Sequence, residues 1–295
     1  MLKEKDCLQR FLFVDTHIRG ALVSLDASWQ ALLQQQSYPD VVQQLLGQLS
    51  AACVLLSSTL KFNGSLTTQA QGDGPISMMV VECTTQRTLR GMAKWQSGIQ
   101  PSNLTSLFGS ARLAVTIDTI NNKSRFQSII ELEGDTLAQT VEKYLQQSEQ
   151  LATTLLLAAS NTQSVGLLLQ KLPEPSDIKY ANDDNWNRIS QLAATLTPEE
   201  LMALSNQQIL HRLFSEDNIQ LFDPEPYRFH CSCSRSRVQN MLKSLGVNEI
   251  HQLLDDVGLV QVDCEFCGQQ YTFDKVDAEA LFASDDPSEP PPTRH

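Results

Sequence analysis

Four thiols in two tight pairs, Cys231-Ser232-Cys233 and Cys264-Glu265-Phe266-Cys267-Gly268, constrain this chain more than any other feature of its sequence. In the second pair the two intervening residues let a tight turn bring both sulfurs to one metal, and Gly268 permits the backbone conformation that closes it. In the first, the i,i+2 spacing on an extended chain points both thiols to one side. With residues 234–263 between the pairs, Cys231, Cys233, Cys264 and Cys267 complete a tetrahedral four-thiolate set for Zn2+. Four unrelated core cysteines would leave this spacing unexplained. His230 and His251 are read as solvated or packed side chains, because four thiolates already fill the tetrahedron.

The energetics say what such a metal does. A segment of about 55 residues holds about 3–8 kcal/mol of stability at ~0.05–0.15 kcal/mol per residue, whereas structural zinc contributes ~10–16 kcal/mol. Without the metal the segment is expected to unfold. Each pair can also close a local disulfide, and a Cys-x-Cys bridge closes a small strained ring of the kind that forms and breaks with redox poise. Oxidation therefore removes ligands in pairs.

Seven cysteines in a chain without an export signal point to metal or redox chemistry rather than a disulfide framework. Met1-Leu2-Lys3-Glu4-Lys5-Asp6-Cys7 is too charged to open a signal peptide, and no apolar run approaches the ~20 residues that span a bilayer. A soluble, cytoplasmic protein is expected. Cys53 falls on the apolar stripe Val42, Leu45, Leu46, Leu49, Cys53, Leu56 and should be buried, while Cys7 and Cys83 have no partner nearby in sequence.

The net charge of −12 is distributed unevenly. Residues 1–173 carry thirteen acids and thirteen bases, residues 174–226 ten against three, residues 227–280 eight against five, and residues 281–295 three against one. No clustered Lys/Arg stripe meets a phosphate backbone, so nucleic acid is not an expected partner.

Periodicity divides the chain further. Residues 39–60 read as a helix packed on a sheet, followed by strand-like runs at Leu66–Gln71, Ile76–Val81, Thr88–Trp95, Leu113–Asp118 and Phe126–Leu132. Asp135 is positioned to cap a helix bearing Leu137, Val141, Tyr144 and Leu145, and runs at Leu155–Leu157 and Val165–Leu169 return as strands. Gln71-Gly72-Asp73-Gly74-Pro75 lacks the lysine of a phosphate loop and reads as a tight turn.

The expected fold class is α+β, with a mainly antiparallel N-terminal sheet and packed helices, a helical linker and a small C-terminal zinc domain. Leu172-Pro173-Glu174-Pro175, where acidic composition begins, marks the first boundary. The expected organisation is an N-terminal core over 1–173, an acidic helical linker over 174–226, a four-cysteine zinc domain over 227–280 and a disordered tail over 281–295. In the linker, Trp186, Ile189, Leu192, Ala193 and Leu196 share one face, and Thr197/Glu200 and Ser205/Gln208 are set for capping boxes. Such short acidic helices must lean on neighbours for stability and form the natural part to unfold. In the zinc segment, Tyr227 and Phe229 suggest a strand leading into the first cysteines, with helices near 235–245 and 249–257 and a strand over Leu259–Val262.

No G-x-x-x-x-G-K-[ST], G-x-G-x-x-G after a strand, H-E-x-x-H or G-x-S-x-G occurs, and the H-x-E with P-C-x-x-C of base deaminases is absent too. Nothing therefore indicates an enzyme of those classes. Two further readings of the cysteines stay open on spacing alone. A thiol–disulfide exchange enzyme could use Cys264-Glu265-Phe266-Cys267, though its usual βαβ context is missing. A zinc-stapled RNA- or protein-binding module would ignore oxidants, and the acidic charge opposes its RNA version.

An ordered set of motifs resembles one known family, the redox-regulated 33 kDa chaperonins, or heat shock protein 33. It comprises Gln71-Gly72-Asp73-Gly74-Pro75, Arg90-Gly91, Leu132-Glu133-Gly134-Asp135-Thr136, Ser148-Glu149-Gln150, Cys231-Ser232-Cys233-Ser234-Arg235, Cys264-Glu265-Phe266-Cys267-Gly268 and Tyr271-Thr272-Phe273. The resemblance implies an ATP-independent holdase, not an enzyme, that is inactive when reduced and zinc-bound. It implies that oxidants, aided by heat, form disulfides Cys231–Cys233 and Cys264–Cys267, that zinc is released, and that the zinc domain and linker unfold. The implied partners are unfolding client proteins, a second copy in an oxidised homodimer, and downstream ATP-driven foldases, with no membrane.

Overall fold

A computed structural model describes residues 5–120, 124–173 and 183–283. Glu174-Pro175 and residues 284–295, the end of the expected boundary and most of the expected tail, lie outside the described residues. The chain divides into two compact units, Met1–His230 and Cys231–His295.

The first unit opens with β1 (Cys7–Phe13), β2 (Ile18–Leu25), α1 (Ala27–Leu33) and α2 (Asp40–Thr59). A run of strands follows, β3 (Gly64–Gln71), β4 (Ile76–Thr84) and β5 (Thr88–Trp95), and after α3 (Leu104–Phe108) come β6 (Arg112–Thr119) and β7 (Arg125–Glu131). Next are α4 (Leu137–Ser148), β8 (Thr153–Ala159), β9 (Ser164–Lys171), α5 (Asp183–Ala194), α6 (Pro198–Ala203) and α7 (Asn206–Phe214). Three short strands close the unit: β10 (Ile219–Leu221), β11 (Glu225–Pro226) and β12 (Arg228–Phe229).

These strands make two six-stranded sheets. One runs β10-β1-β2-β9-β8, with β11 also on β1, and is antiparallel throughout. The other runs β12-β5-β4-β3-β6-β7 and is antiparallel except where β12 joins β5. The architecture is therefore α+β, as expected. Residues 227–230, read from sequence as the lead-in to the cysteines, belong to the first unit: Tyr227 is buried, and its hydroxyl lies 2.9 Å from that of Ser57.

The period-2 alternation of strands explains the layering. In the first sheet Leu8, Ala21, Val23, Leu25 and Leu168 face a core shared with α2 and the second sheet. On its other face Phe11, Phe13, Ile18, Leu22, Leu167 and Leu169 form a separate core with Ile189, Ala193, Leu196, Leu201, Ile209, Leu210, Leu213 and Phe214 of α5–α7 and their connections. β9 is thus buried on both faces, which is why its sequence is a nearly unbroken apolar run. Phe13 and Phe214 meet edge to face, with ring centroids 5.1 Å apart.

The acidic segment therefore has no core of its own and takes one from the outer face of the first sheet. Both expected capping boxes are present, Thr197 with Glu200 and Ser205 with Gln208. At the α4 terminus, however, the cap is Thr136, whose hydroxyl accepts from the Gln139 backbone N–H, and not Asp135. A threonine hydroxyl one residue nearer the helix reaches that donor directly.

α2 also departs from expectation, being long and apolar enough by length and composition to cross a membrane. Two thirds of its most apolar window (67%) is buried in the protein, as suits a central core helix.

The second unit contains α8 (Arg235–Leu245), α9 (Val247–Val257), the antiparallel hairpin β13 (Val260–Asp263) and β14 (Gln270–Phe273), and α10 (Lys275–Ala283). Its core is small: Leu242, Ile250, Leu254, Val260, Phe273, Ala278 and Leu281. Leu281 falls within the tail expected from sequence, yet it is buried on a helix whose apolar positions close this core.

Candidate metal centre

Cys264 to Cys267 sit at the tip of the β13–β14 hairpin, between the paired residues Asp263 and Gln270. The Cys264 carbonyl accepts from the backbone N–H groups of Cys267 at 3.3 Å and Gly268 at 2.7 Å, and Gly268 adopts φ 63°, where a side chain would be strained. The turn expected of the C-x-x-C-G sequence is therefore formed.

The other pair precedes α8, whose first turn is capped by Ser234 accepting from the Arg237 N–H. Arg237 also donates to the Ser232 hydroxyl at 2.6 Å, between the two cysteines. Arg235 ties this end of α8 to the hairpin: it donates to the Thr272 carbonyl and to Asp277, both at 2.8 Å, and its guanidinium lies 4.3 Å from the Phe273 ring centroid.

The four sulfurs of Cys231, Cys233, Cys264 and Cys267 lie within 4.8 Å of one another and could hold a metal ion. Cys231 is 3.7 Å from Cys264, and Cys233 is 3.3 Å from Cys267. Metal–sulfur bonds of ~2.3 Å in a tetrahedron put sulfurs about 3.8 Å apart, so the spacing fits such a centre. Neither His230 nor His251 joins the cluster.

Electrostatics agree with a site built for a cation. Burial pushes the Cys231 and Cys267 thiols above their ordinary range; at Cys267 the neighbouring thiols add to the effect, while at Cys231 those of Cys233 and Cys264 add to it and that of Cys267 opposes it. At Cys233 burial acts in the same upward sense, but hydrogen bonds from Tyr271 and from the other thiols outweigh it, and the thiol is held low. Tyr271 Oη donates to Cys233 Sγ at 3.2 Å, and the tyrosine is itself pushed up to about 12 by that bond. Thiols this close oppose each other's ionisation, and a divalent cation supplies the charge that lets all four ionise. In sequence Tyr271 stands out only as part of a motif. Its pairing with Cys233 depends on the hairpin register that places Tyr271 opposite Val262.

The family model described as Hsp33 protein matches residues 6–274. The chain belongs to the Hsp33 family. Among curated Hsp33 relatives, the 33 kDa chaperonin of Nitrosococcus oceani is 45% identical over 294 residues, covering 100% of both chains. That of Chromobacterium violaceum is 41% identical over 286 residues, 96% of each. The crystal structure of the 33 kDa chaperonin (heat shock protein 33 homolog) of Thermotoga maritima superposes with a TM-score of 0.81 at 20% identity, covering 95% of this chain and 100% of that one. At that identity the likeness speaks to the fold, which is shared across two strongly diverged sequences.

Proposed function

We propose that this Hsp33 protein is a non-enzymatic, ATP-independent holdase, held inactive by zinc on its four thiolates and activated when they are oxidised. The observation that carries the reading is the convergence of the Cys231, Cys233, Cys264 and Cys267 sulfurs to within 4.8 Å of one another, close enough to hold a metal ion, in a unit whose own core is small. Zinc, when bound, neutralises the thiolates and staples the two cysteine turns together. The Tyr271 hydroxyl orients and charges Cys233 as a ligand. Its loss in Tyr271→Phe is expected to weaken zinc binding about 10–100-fold, read by competition with a chelator of known affinity. Unchanged affinity would remove Tyr271 from the site.

Activation is thiol chemistry within each pair. A thiolate attacks one oxygen of a peroxide, giving a sulfenic acid and releasing hydroxide, and the neighbouring thiol then displaces water to form the disulfide. The reading assigns Cys231–Cys233 and Cys264–Cys267 as the bridges, because within a pair the partner remains close when the site loosens. In the reduced arrangement Cys231 also lies against Cys264 and Cys233 against Cys267, so cross-pair bridges are the alternative. Cross-pair bridges would staple the unit closed rather than release it. Peptide mapping after peroxide treatment separates the two: the account expects the local pairs, and recovery of 231–264 and 233–267 bridges would contradict release by unfolding.

Release of the second unit frees the chain directly after β12, and the acidic α5–α7 layer, short and without a core of its own, is the part poised to follow. Its departure uncovers Phe11, Phe13, Leu167 and Leu169, together with the apolar faces of the helices, for unfolding client proteins. Oxidised homodimers and hand-over to ATP-driven foldases complete the reading. A cytoplasmic location suits thiols kept reduced until stress.

A further inference from the structure

Of the three buried cysteines of the first unit that the zinc switch does not use, Cys7, Cys53 and Cys83, two lie together. Cys53 lies on the face of α2 that packs against the second sheet, and Cys83 continues the inward alternation Met79, Val81, Cys83 of β4. Both are 0% exposed. Their sulfurs are 3.6 Å apart, although 30 positions separate them in sequence. Cys53 Sγ also lies 3.7 Å from the Leu66 carbonyl and 3.6 Å from that of Val81, and Cys83 Sγ lies 3.6 Å from the Cys53 carbonyl. The two thiols thus form a closed pair joining the central helix to the sheet.

We propose that Cys53 and Cys83 are a second dithiol site, oxidised to a disulfide by a peroxide-class oxidant only when α2 lifts from β4. Sulfurs already in van der Waals contact need close by only about 1.5 Å to reach the ~2.05 Å of a disulfide, a movement within reach of side-chain rotation and a small helix shift. What prevents the reaction in the closed protein is access. The reactive species is the thiolate, the hydrogen bond with Cys53 together with burial holds the Cys83 thiol in its protonated form, and no path admits oxidant to a fully buried sulfur. Opening removes both barriers at once.

The reaction then balances as two thiols and one peroxide giving one disulfide and two waters. One sulfur first takes the peroxide oxygen as a sulfenic acid, and the other displaces that oxygen as water. The link ties together the helix and strand at the centre of the main core, so a chain that has opened under heat and oxidant recloses on a covalent tie. Cys231, Cys233, Cys264 and Cys267, each partly exposed, react without this opening, so the two sites report different events.

The test is peptide mapping of the full-length, zinc-loaded protein after peroxide at about 25 °C and about 45 °C, with remaining thiols alkylated in denaturant. Unfolding rates rise ~3–6-fold per 10 °C, so the yield of a Cys53–Cys83 cross-linked peptide is expected to increase more than about tenfold between the two temperatures. In Cys53→Ala, Cys83 should be recovered without any disulfide partner. Recovery of both wild-type cysteines as alkylated thiols at the higher temperature would overturn the proposal. So would a bridge from either one to another cysteine, or a cross-link that forms equally fast at both temperatures.

Discussion

Replacing Cys264 by serine is expected to abolish tight zinc binding and to leave residues 231–283 without a stable fold. A serine hydroxyl is not a thiolate, and three sulfurs cannot close the tetrahedron that joins the hairpin tip to the start of α8. What remains is a two-stranded hairpin and three helices around seven buried apolar side chains. A lone hairpin is at best marginal in water, and the loss of about 10–16 kcal/mol of metal binding exceeds anything so small a core can supply. Hydrogen exchange should therefore show α8–α10 unprotected in Cys264→Ser, while α2 and β9 in the first unit exchange as slowly as before. Protected α8–α10 amides in protein that holds no zinc would mean that the metal is not the staple.

The second large effect is expected at Ile189. This side chain is fully buried between α5 and the outer face of the first sheet. Ile189→Asp places a carboxylate among the apolar side chains of that cluster, and an unpaired buried charge costs several kcal/mol. The α5–α7 layer avoids the cost by detaching, since its helices have little else to hold them. The variant, fully reduced and zinc-loaded, should then suppress client aggregation that the reduced wild type does not, and protease should cut within 183–214. If protease cuts there but suppression still requires oxidant, the client surface lies elsewhere than under α5–α7.

Much of this was legible in the sequence where the signal is local. The cysteine spacing carries its own geometry, the 3.6-residue stripe of α2 places Cys53 inward, and strand-like runs with intervening turns mark β3 to β7, as short apolar runs mark β8 and β9. The capping boxes of α6 and α7 are each written within four residues. What could not be read depends on distant partners. β2 is buried on both faces, so its sequence lacks the alternation that marks a strand with one solvated side. β10, β11 and β12 are two or three residues long and exist only because β1 and β5 offer edges to pair with. Tyr227 and Phe229 for that reason look in sequence like an introduction to Cys231, although they complete the first unit. Cys83 likewise has no local partner, and only the packing of α2 on β4 brings Cys53 to it.

The acidic segment combines both cases. Its composition announces weak self-sufficiency, and its apolar face is plain from Trp186 to Leu196. Which surface receives that face is a tertiary fact, fixed by the outward alternation of Phe11, Phe13, Leu167 and Leu169.

The central claim is most directly tested by light scattering from a thermally unfolding client protein, mixed either with the reduced, zinc-loaded protein or with protein treated with peroxide at raised temperature. The account predicts suppression of aggregation by the oxidised sample alone, and its loss when the disulfides are reduced and zinc is restored. Equal behaviour of the two samples would contradict it and leave the four cysteines as a structural staple with no part in switching.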